Sequence, residues 1–212
     1  MSKVNVYNLI ILDESGSMNA VKVPVISGFN ELVQTIKAGA IAYPEQQHYV
    51  TFITFNSTNI KMHLDREPVQ NLHAISEKNY HPDCSTPLFD AVGFALTHLR
   101  KNLKEDEENN VLVTILTDGL ENASREFTAE AINELIKELS EGNWTFTYIG
   151  ADHDIEKMAS TVGISNRQYF QKTPAGLNRF FLNEAEARMR YYDKLHGKQD
   201  VKKGYFNKPS GD

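Results

Sequence analysis

The sequence predicts an α/β fold with a doubly wound, mostly parallel central sheet, one antiparallel edge strand and helices on both faces. Apolar runs rich in Val, Ile, Leu and Phe alternate with stretches of helical periodicity, which is typical of repeated βαβ units. The run "VLVTILT" is nearly all apolar, as expected for a parallel strand that is covered on both faces. The break "FNST" between two apolar segments predicts a hairpin, and therefore one antiparallel strand at a sheet edge.

The first half of the chain supplies three strands and two helices of this pattern. We expect a strand over about residues 4–12, a helix over 20–38 and a second strand over 49–55. Residues 59–64 follow the "FNST" break and should pair antiparallel with the second strand, whereas residues 66–83 lack a period and should form a loop. In "CSTPLFDAVGFALTHLRKNL", Pro87 suits the first position of a helix and Thr86 suits its cap.

The second half completes the sheet and ends in a long helix. We expect strands over residues 111–117, 144–149 and 168–171, and helices over 128–140, 155–162 and 174–195. Residues 1–196 should therefore form one domain. Residues 197–212, rich in Lys, Gly and Pro and without a period, are expected to be a mobile tail.

Composition excludes several classes of function. The 212 residues are 41% hydrophobic and 24% charged, and no apolar stretch approaches the roughly 20 residues that cross a bilayer, so membrane insertion is not expected. A net charge of -6 without a long Lys/Arg run argues against nucleic-acid binding. The start "MSKVNVYNLIIL" reads as a core strand rather than a signal peptide, and Cys84 is a single cysteine, so we expect a cytoplasmic protein.

Three polar clusters lie at points where predicted strands end or predicted helices begin. They are Asp13-x-Ser15-x-Ser17, Ser85-Thr86 and Thr117-Asp118-Gly119. Ligands of open parallel sheets bind where the strands end, so all three clusters are expected to meet there. An extended chain would hold Asp13 and Ser17 about 13 Å apart, so the first cluster must curl, which Gly16 permits.

The side chains of these clusters suit a hard cation. Carboxylate and hydroxyl oxygens, without a histidine or a thiolate, favour Mg²⁺, Mn²⁺ or Ca²⁺ over zinc, with Mg²⁺ as the first expectation. Two aspartates balance the charge of the ion, and the hydroxyls donate electron density only weakly. Such an ion stays electrophilic, so an acidic group of a partner could complete its coordination.

These segments resemble the metal-ion-dependent adhesion site of von Willebrand factor type A (vWA) domains. "DESGS" is similar to the family's Asp-x-Ser-x-Ser motif, "STPLFDA" to its threonine loop and "LTDG" to its second aspartate, and they occur in the family's order. The resemblance covers about residues 4–195 and implies a Rossmann-like vWA fold.

The resemblance also implies roles for five residues. Ser15 and Ser17 would bind the metal directly, Thr86 directly or through water, and Asp13 and Asp118 directly or through bridging waters. A carboxylate from a protein partner would fill the open position, and movement of the last helix can be coupled to that event. The implied function is a non-enzymatic, Mg²⁺-dependent protein-binding module.

Other interpretations of these residues stay open. The first cluster could be a capped helix entrance. Asp152-His153-Asp154 could be a second metal site, although a helix cap is the simpler interpretation. Glu14, Asn19, Glu121 and Asn122 could border the opening.

Two other functions are compatible with the motifs. Asp13 ends the first strand, where haloacid-dehalogenase-like phosphohydrolases place a nucleophile, but Ser15 occupies the position of their second carboxylate. A metal-assisted phosphohydrolase is therefore one alternative. An accessory subunit of an AAA-type ATPase or of a stress-response complex is another, and nothing in the sequence selects that partner.

Overall fold

The protein forms a six-stranded sheet of order β3-β2-β1-β4-β5-β6 in the computed structural model. The structure describes residues 4–104, 107–118, 120–151, 154–171 and 173–207. The antiparallel pair is β2 with β3, and the other neighbouring strands are parallel. This arrangement confirms the predicted fold class.

The elements follow one another in the predicted order. The strands are β1 (Val4–Asp13), β2 (Gln46–Asn56), β3 (Asn59–Pro68), β4 (Asn109–Thr117), β5 (Trp144–Ala151) and β6 (Asn166–Phe170). The helices are α1 (Lys22–Ala42), α2 (Leu88–Asn102), α3 (Ala129–Glu141), α4 (Asp154–Thr161) and α5 (Pro174–His196). Within the described ranges, none of these helices has the length and apolar character needed to cross a membrane.

Helices cover both faces of the sheet because β1 and β4 bury alternate side chains in opposite directions. Leu9 and Ile11 of β1 belong to a core shared with α2, α3 and α4. Ile10 and Leu12 belong to a second core shared with α1 and α5. Both strands are buried along almost their whole length, which explains their nearly continuous apolar sequence.

The structure corrects three boundary predictions. A 3-10 helix over Gly16–Val21 precedes α1, which begins at Lys22 rather than near residue 20. The edge strand β3 continues to Pro68, so the expected loop begins later. Thr86 does not cap α2, since the N-cap position is Pro87 and the first-turn amide of Phe89 donates to Glu121 instead.

The expected mobile tail is packed against the domain over residues 197–207. Val201 and Tyr205 are buried, and the Tyr205 hydroxyl donates to Glu184 Oε1 of α5 at 2.9 Å. Asn166 of β6 donates its side-chain amide to the Lys202 carbonyl at 2.9 Å and accepts from the Tyr205 amide at 3.1 Å. Two apolar side chains and one polar anchor thus hold this segment although its sequence has no periodicity. Residues 208–212 lie outside the described residues.

Candidate metal centre

The polar motifs lie at the topological switch point of the sheet, where the order of the strands changes direction between β1 and β4. From β1 the chain passes through α1 to β2 on one side, while β4 is the neighbour of β1 on the other side. Leu12 of β1 is paired with Leu116 of β4, so Asp13 and Asp118 leave the sheet from adjacent strands. Loops diverge at such a switch point and leave a crevice, which is the usual ligand site of this architecture.

The first loop curls as its composition predicts. Asp13 is fully buried at the end of β1, and its Oδ1 accepts a hydrogen bond from the Ser15 amide at 2.7 Å. The Gly16 amide donates to the Cys84 carbonyl at 2.9 Å, which joins this loop to the loop that carries Thr86. A Cβ at Gly16 would lie 3.2 Å from that carbonyl oxygen, so the close approach favours glycine.

Hydrogen bonds between side chains bring three of the predicted residues together. The Ser15 and Ser17 hydroxyls are 3.2 Å apart, and the Ser17 hydroxyl donates to Asp118 Oδ1 at 2.6 Å. Ser15 and Asp118 are buried, whereas Ser17 is exposed. The cluster is therefore reached from solvent at Ser17.

Thr86 lies on the loop that contacts Gly16, and its backbone is held by Asn122. Its amide donates to Asn122 Oδ1 at 2.8 Å, and its carbonyl accepts from the Asn122 amide at 3.1 Å. The Thr86 side chain is buried, and Cys84, two residues earlier, adopts a left-handed φ of 66°. The loop is thus fixed from both sides, by Gly16 and by Asn122.

The pKa of Asp13 is raised because its carboxyl group has no access to solvent. Burial raises the pKa of Asp13 to about 6, despite hydrogen bonds from Thr117 and Ser15 that lower it, and the neighbouring Asp118 charge raises it further. Two carboxylates in a buried site repel each other and favour protonation. A bound cation would remove that penalty.

Two further residues support Asp13: Thr117 belongs to the third predicted polar cluster, whereas Tyr80 was missed at the sequence level. The Thr117 hydroxyl donates to Asp13 Oδ2 at 2.5 Å, and the Tyr80 hydroxyl donates to the Asp13 carbonyl at 2.7 Å. The register of β1 and β4 explains why Thr117 reaches Asp13, since both residues follow the Leu12 and Leu116 pair by one position. Tyr80 lies in an aperiodic loop, and no sequence signal points to it.

The four residues suggested for the rim have structural partners. Glu14 accepts from the His81 amide, and Asn19 donates to the Gly16 and Pro82 carbonyls. Glu121 accepts from the amides of Phe89, Ala123 and Ser124, and Asn122 positions Thr86 as described. Glu121 and Asn122 thus stabilise the two loops. Asp152, His153 and Gly119 lie outside the described residues, as does the side chain of Asp154.

The donor set of the cluster fits a hard divalent cation. It combines two carboxylates with hydroxyls in a mostly buried crevice, and oxygen ligands of this kind are those that Mg²⁺ and Mn²⁺ prefer. Within the ranges that the structure describes, no group of three or more His, Cys, Asp or Glu side chains could hold a metal ion. A site here would therefore depend on serine and threonine as much as on carboxylates.

A family model gives the relationship of this chain to known proteins. The model of the von Willebrand factor type A domain matches residues 9–182. The chain belongs to the vWA domain family. The match includes all five predicted site residues, and no curated protein matches the chain.

Solved structures share the fold of this vWA domain at low sequence identity. A von Willebrand factor type A protein from Catenulispora acidiphila is 14% identical with a TM-score of 0.59, over 88% of this chain and 43% of its own. The vWF domain of a type V pili tip protein from Porphyromonas gingivalis is 11% identical with a TM-score of 0.63, over 89% and 96%. The manganese-loaded TRAP protein from Plasmodium vivax is 17% identical with a TM-score of 0.52, over 85% and 74%. The chain thus spans less than half of the first of these proteins.

Proposed function

We propose that this vWA domain is a divalent-metal-dependent protein-binding module with Mg²⁺ as its ion, and that it acts in the cytoplasm. The observation that carries the proposal is the hydrogen-bonded chain from Ser15 through Ser17 to Asp118 beside the buried Asp13. These groups come from two loops more than 100 residues apart in sequence. Capping a helix needs no such convergence, and the 3-10 helix after Ser15 has no side-chain cap.

The five residues would divide the work of holding the ion. Ser15, Ser17 and Thr86 would offer neutral hydroxyl oxygens. Asp13 and Asp118 would supply the negative charge. Asp13 Oδ1 and Oδ2 each accept one hydrogen bond, which fixes the carboxylate and leaves further lone pairs.

The ion would supply an electrophilic position for a partner's carboxylate. The two aspartates would neutralise the charge of the ion. A carboxylate of the partner would therefore be attracted mainly by the open coordination position of the ion. The exposed Ser17 marks the side from which that group would approach. A manganese-loaded relative of the same fold supports metal binding in the family.

Manganese binding followed by electron paramagnetic resonance tests the metal site. The wild-type protein should bind one Mn²⁺ that Mg²⁺ displaces, and Asp118→Asn should weaken binding at least about tenfold because it removes a charged oxygen. Glu31→Gln removes one negative charge from an exposed position of α1 and serves as the matched control. Equal Mn²⁺ affinity in the wild type and Asp118→Asn would refute the site.

Partner binding needs a separate test. We expect a protein that is captured from native cells in Mg²⁺, released by EDTA and not captured by Asp118→Ala. Such a protein could belong to a larger assembly, including an AAA-type ATPase or a stress-response complex. Capture that persists in EDTA would contradict the metal-dependent mode.

The geometry gives no support to the phosphohydrolase alternative. A nucleophilic aspartate must present an oxygen to its substrate, whereas Asp13 is fully buried. The second carboxylate of that chemistry is replaced by Ser15. We therefore propose a binding function without turnover, and Mg²⁺-dependent hydrolysis of a phosphate ester, lost in Asp13→Ala, would contradict it.

A further inference from the structure

A cavity of about 450 Å³ lies on the β2-β3 side of the domain, next to the first loop. Its walls come from β2, β3 and the segment over residues 71–81. A volume of this size accommodates one or two amino-acid side chains or a small ligand. None of the five proposed metal ligands lines it.

The floor of the cavity is apolar and consists of side chains that also pack in the core. Phe52, Leu72 and Ile75 are buried in the second core, which the sheet shares with α1 and α5, and they also line the cavity. The segment that carries Ile75 is fixed by Asn30 of α1, which donates to the Ile75 carbonyl at 3.0 Å and accepts from its amide at 2.8 Å. The cavity is therefore formed before any ligand binds.

The rim of the cavity carries more cationic than anionic groups. Lys61 and Lys78 line it and are exposed. Among the described residues that line the cavity, Glu14 is the one carboxylate, and its Oε1 already accepts a hydrogen bond from the His81 amide. This local excess of positive charge contrasts with the net charge of -6 of the whole chain.

The cavity and the candidate metal centre share a wall. Tyr80 lines the cavity, and its hydroxyl donates to the Asp13 carbonyl at 2.7 Å. Glu14, which also lines the cavity, is the residue between Asp13 and Ser15. A peptide that reaches the metal centre therefore passes close to the cavity.

We propose that this cavity is a second contact for the partner and takes an acidic peptide segment with an apolar side chain. The apolar side chain fills the floor at Phe52, Leu72 and Ile75, and flanking carboxylates pair with Lys61 and Lys78. The inference rests on the proposed function in one respect, since it assigns both contacts to the same partner. Charge complementarity selects the occupant: a basic peptide would meet the two lysines unfavourably.

Peptide titrations followed by heteronuclear NMR test this site. The probe is an acetylated, amidated hexapeptide that alternates leucine with aspartate, and its control replaces aspartate with asparagine. We expect the acidic peptide to shift the amide signals of Ala74 and Lys78, which lie at the cavity. The neutral peptide should bind more weakly.

A pair of charge-reversal variants separates the cavity from general electrostatics. Lys61→Glu with Lys78→Glu should weaken binding of the acidic peptide about tenfold, because two exposed attractions become repulsions. Lys101→Glu with Lys137→Glu changes the net charge equally at exposed positions of α2 and α3 and should leave the affinity within about twofold. Equal weakening by both pairs would overturn the proposal.

Repeating the titrations in Mg²⁺ and in EDTA distinguishes the two proposals. Affinity that rises in Mg²⁺ and falls on reversal of Lys61 and Lys78 supports both contacts. Affinity that depends on these lysines but not on Mg²⁺ supports the cavity and refutes the assignment of both contacts to one peptide segment. Affinity that depends on Mg²⁺ but not on the lysines overturns the cavity proposal and leaves the metal site intact.

Discussion

Removing Arg188 should destabilise the domain more than most core substitutions, because it leaves a buried charge without its main partner. Arg188 of α5 is 0% exposed, and its guanidinium donates to Glu184 Oε1 through Nε at 3.0 Å and through Nη2 at 2.8 Å. It also donates to Asn8 Oδ1 of β1 at 2.9 Å and to Thr114 Oγ1 of β4 at 2.7 Å. One side chain thus joins α5 to the two strands that end at the candidate metal centre.

The expected cost follows from these contacts. Arg188→Met leaves Glu184, 1% exposed, with the Tyr205 hydroxyl as its hydrogen-bond donor. Breaking a buried ion pair in this way costs about 3 to 5 kcal/mol. Burial already raises the pKa of Glu184, while Arg188 lowers it. Without Arg188 that pKa rises further, so Glu184 takes up a proton in the folded protein and limits the loss.

Urea denaturation at equilibrium measures the effect. The double variant Arg188→Met with Glu184→Gln should be more stable than Arg188→Met alone at neutral pH, because no charge is left buried. A folded-state pKa above the unfolded value means that the folded protein binds more protons, so Arg188→Met should gain stability relative to the double variant as pH falls. An Arg188→Met protein within about 1 kcal/mol of wild type would refute the reasoning.

Three further predictions concern packing, acid stability and support of the candidate site. Gly28→Ala should lower the free energy of unfolding by at least about 2 kcal/mol in urea denaturation, because a Cβ there would lie 1.8 Å from the Phe181 ring. Burial lowers the pKa of His48 from 6.5 to about 4, so the unfolded chain binds the extra proton in that pH window. Wild type should lose about 3 kcal/mol more than His48→Gln as pH falls through it, measured by urea denaturation at each pH. Thr117→Val removes the hydroxyl that holds Asp13 Oδ2 and should weaken Mg²⁺ binding about tenfold in calorimetry, with the fold retained.

Each of these predictions has an opposing result. A Gly28→Ala protein as stable as wild type would mean that α1 and α5 can separate at no cost. Parallel pH profiles of wild type and His48→Gln would show that His48 is not the group that titrates. Unchanged Mg²⁺ affinity in Thr117→Val would show that Asp13 needs no support from β4.

The sheet could be predicted from the sequence because its signals are local. The apolar runs of β1 and β4 mark strands that are covered on both faces, and the break before β3 marks the hairpin. Four of the five predicted site residues lie at the ends of β1 and β4 or just after them: Asp13, Ser15, Ser17 and Asp118. They can be recognised in the sequence because polar residues there interrupt an apolar run. Asp13 and Asp118 were predicted in this way.

The parts that were missed depend on contacts between distant segments. Tyr80 supports Asp13 from a loop without periodicity, and Asn122 holds Thr86 from 36 residues away. Val201 and Tyr205 pack a segment whose composition resembles a mobile tail. Composition and periodicity describe a segment alone, whereas burial of these residues is decided by the surface on which they pack.

The most direct test of the central claim is a crystal structure of the protein soaked in Mn²⁺, with anomalous scattering used to locate the ion. The account predicts one anomalous peak at the ends of β1 and β4, with the Ser15 and Ser17 hydroxyl oxygens roughly 2 Å from the ion and Asp13, Thr86 and Asp118 around it. A well-ordered structure with no peak there, or with Mn²⁺ held elsewhere and these five side chains bonded only to one another, would contradict it.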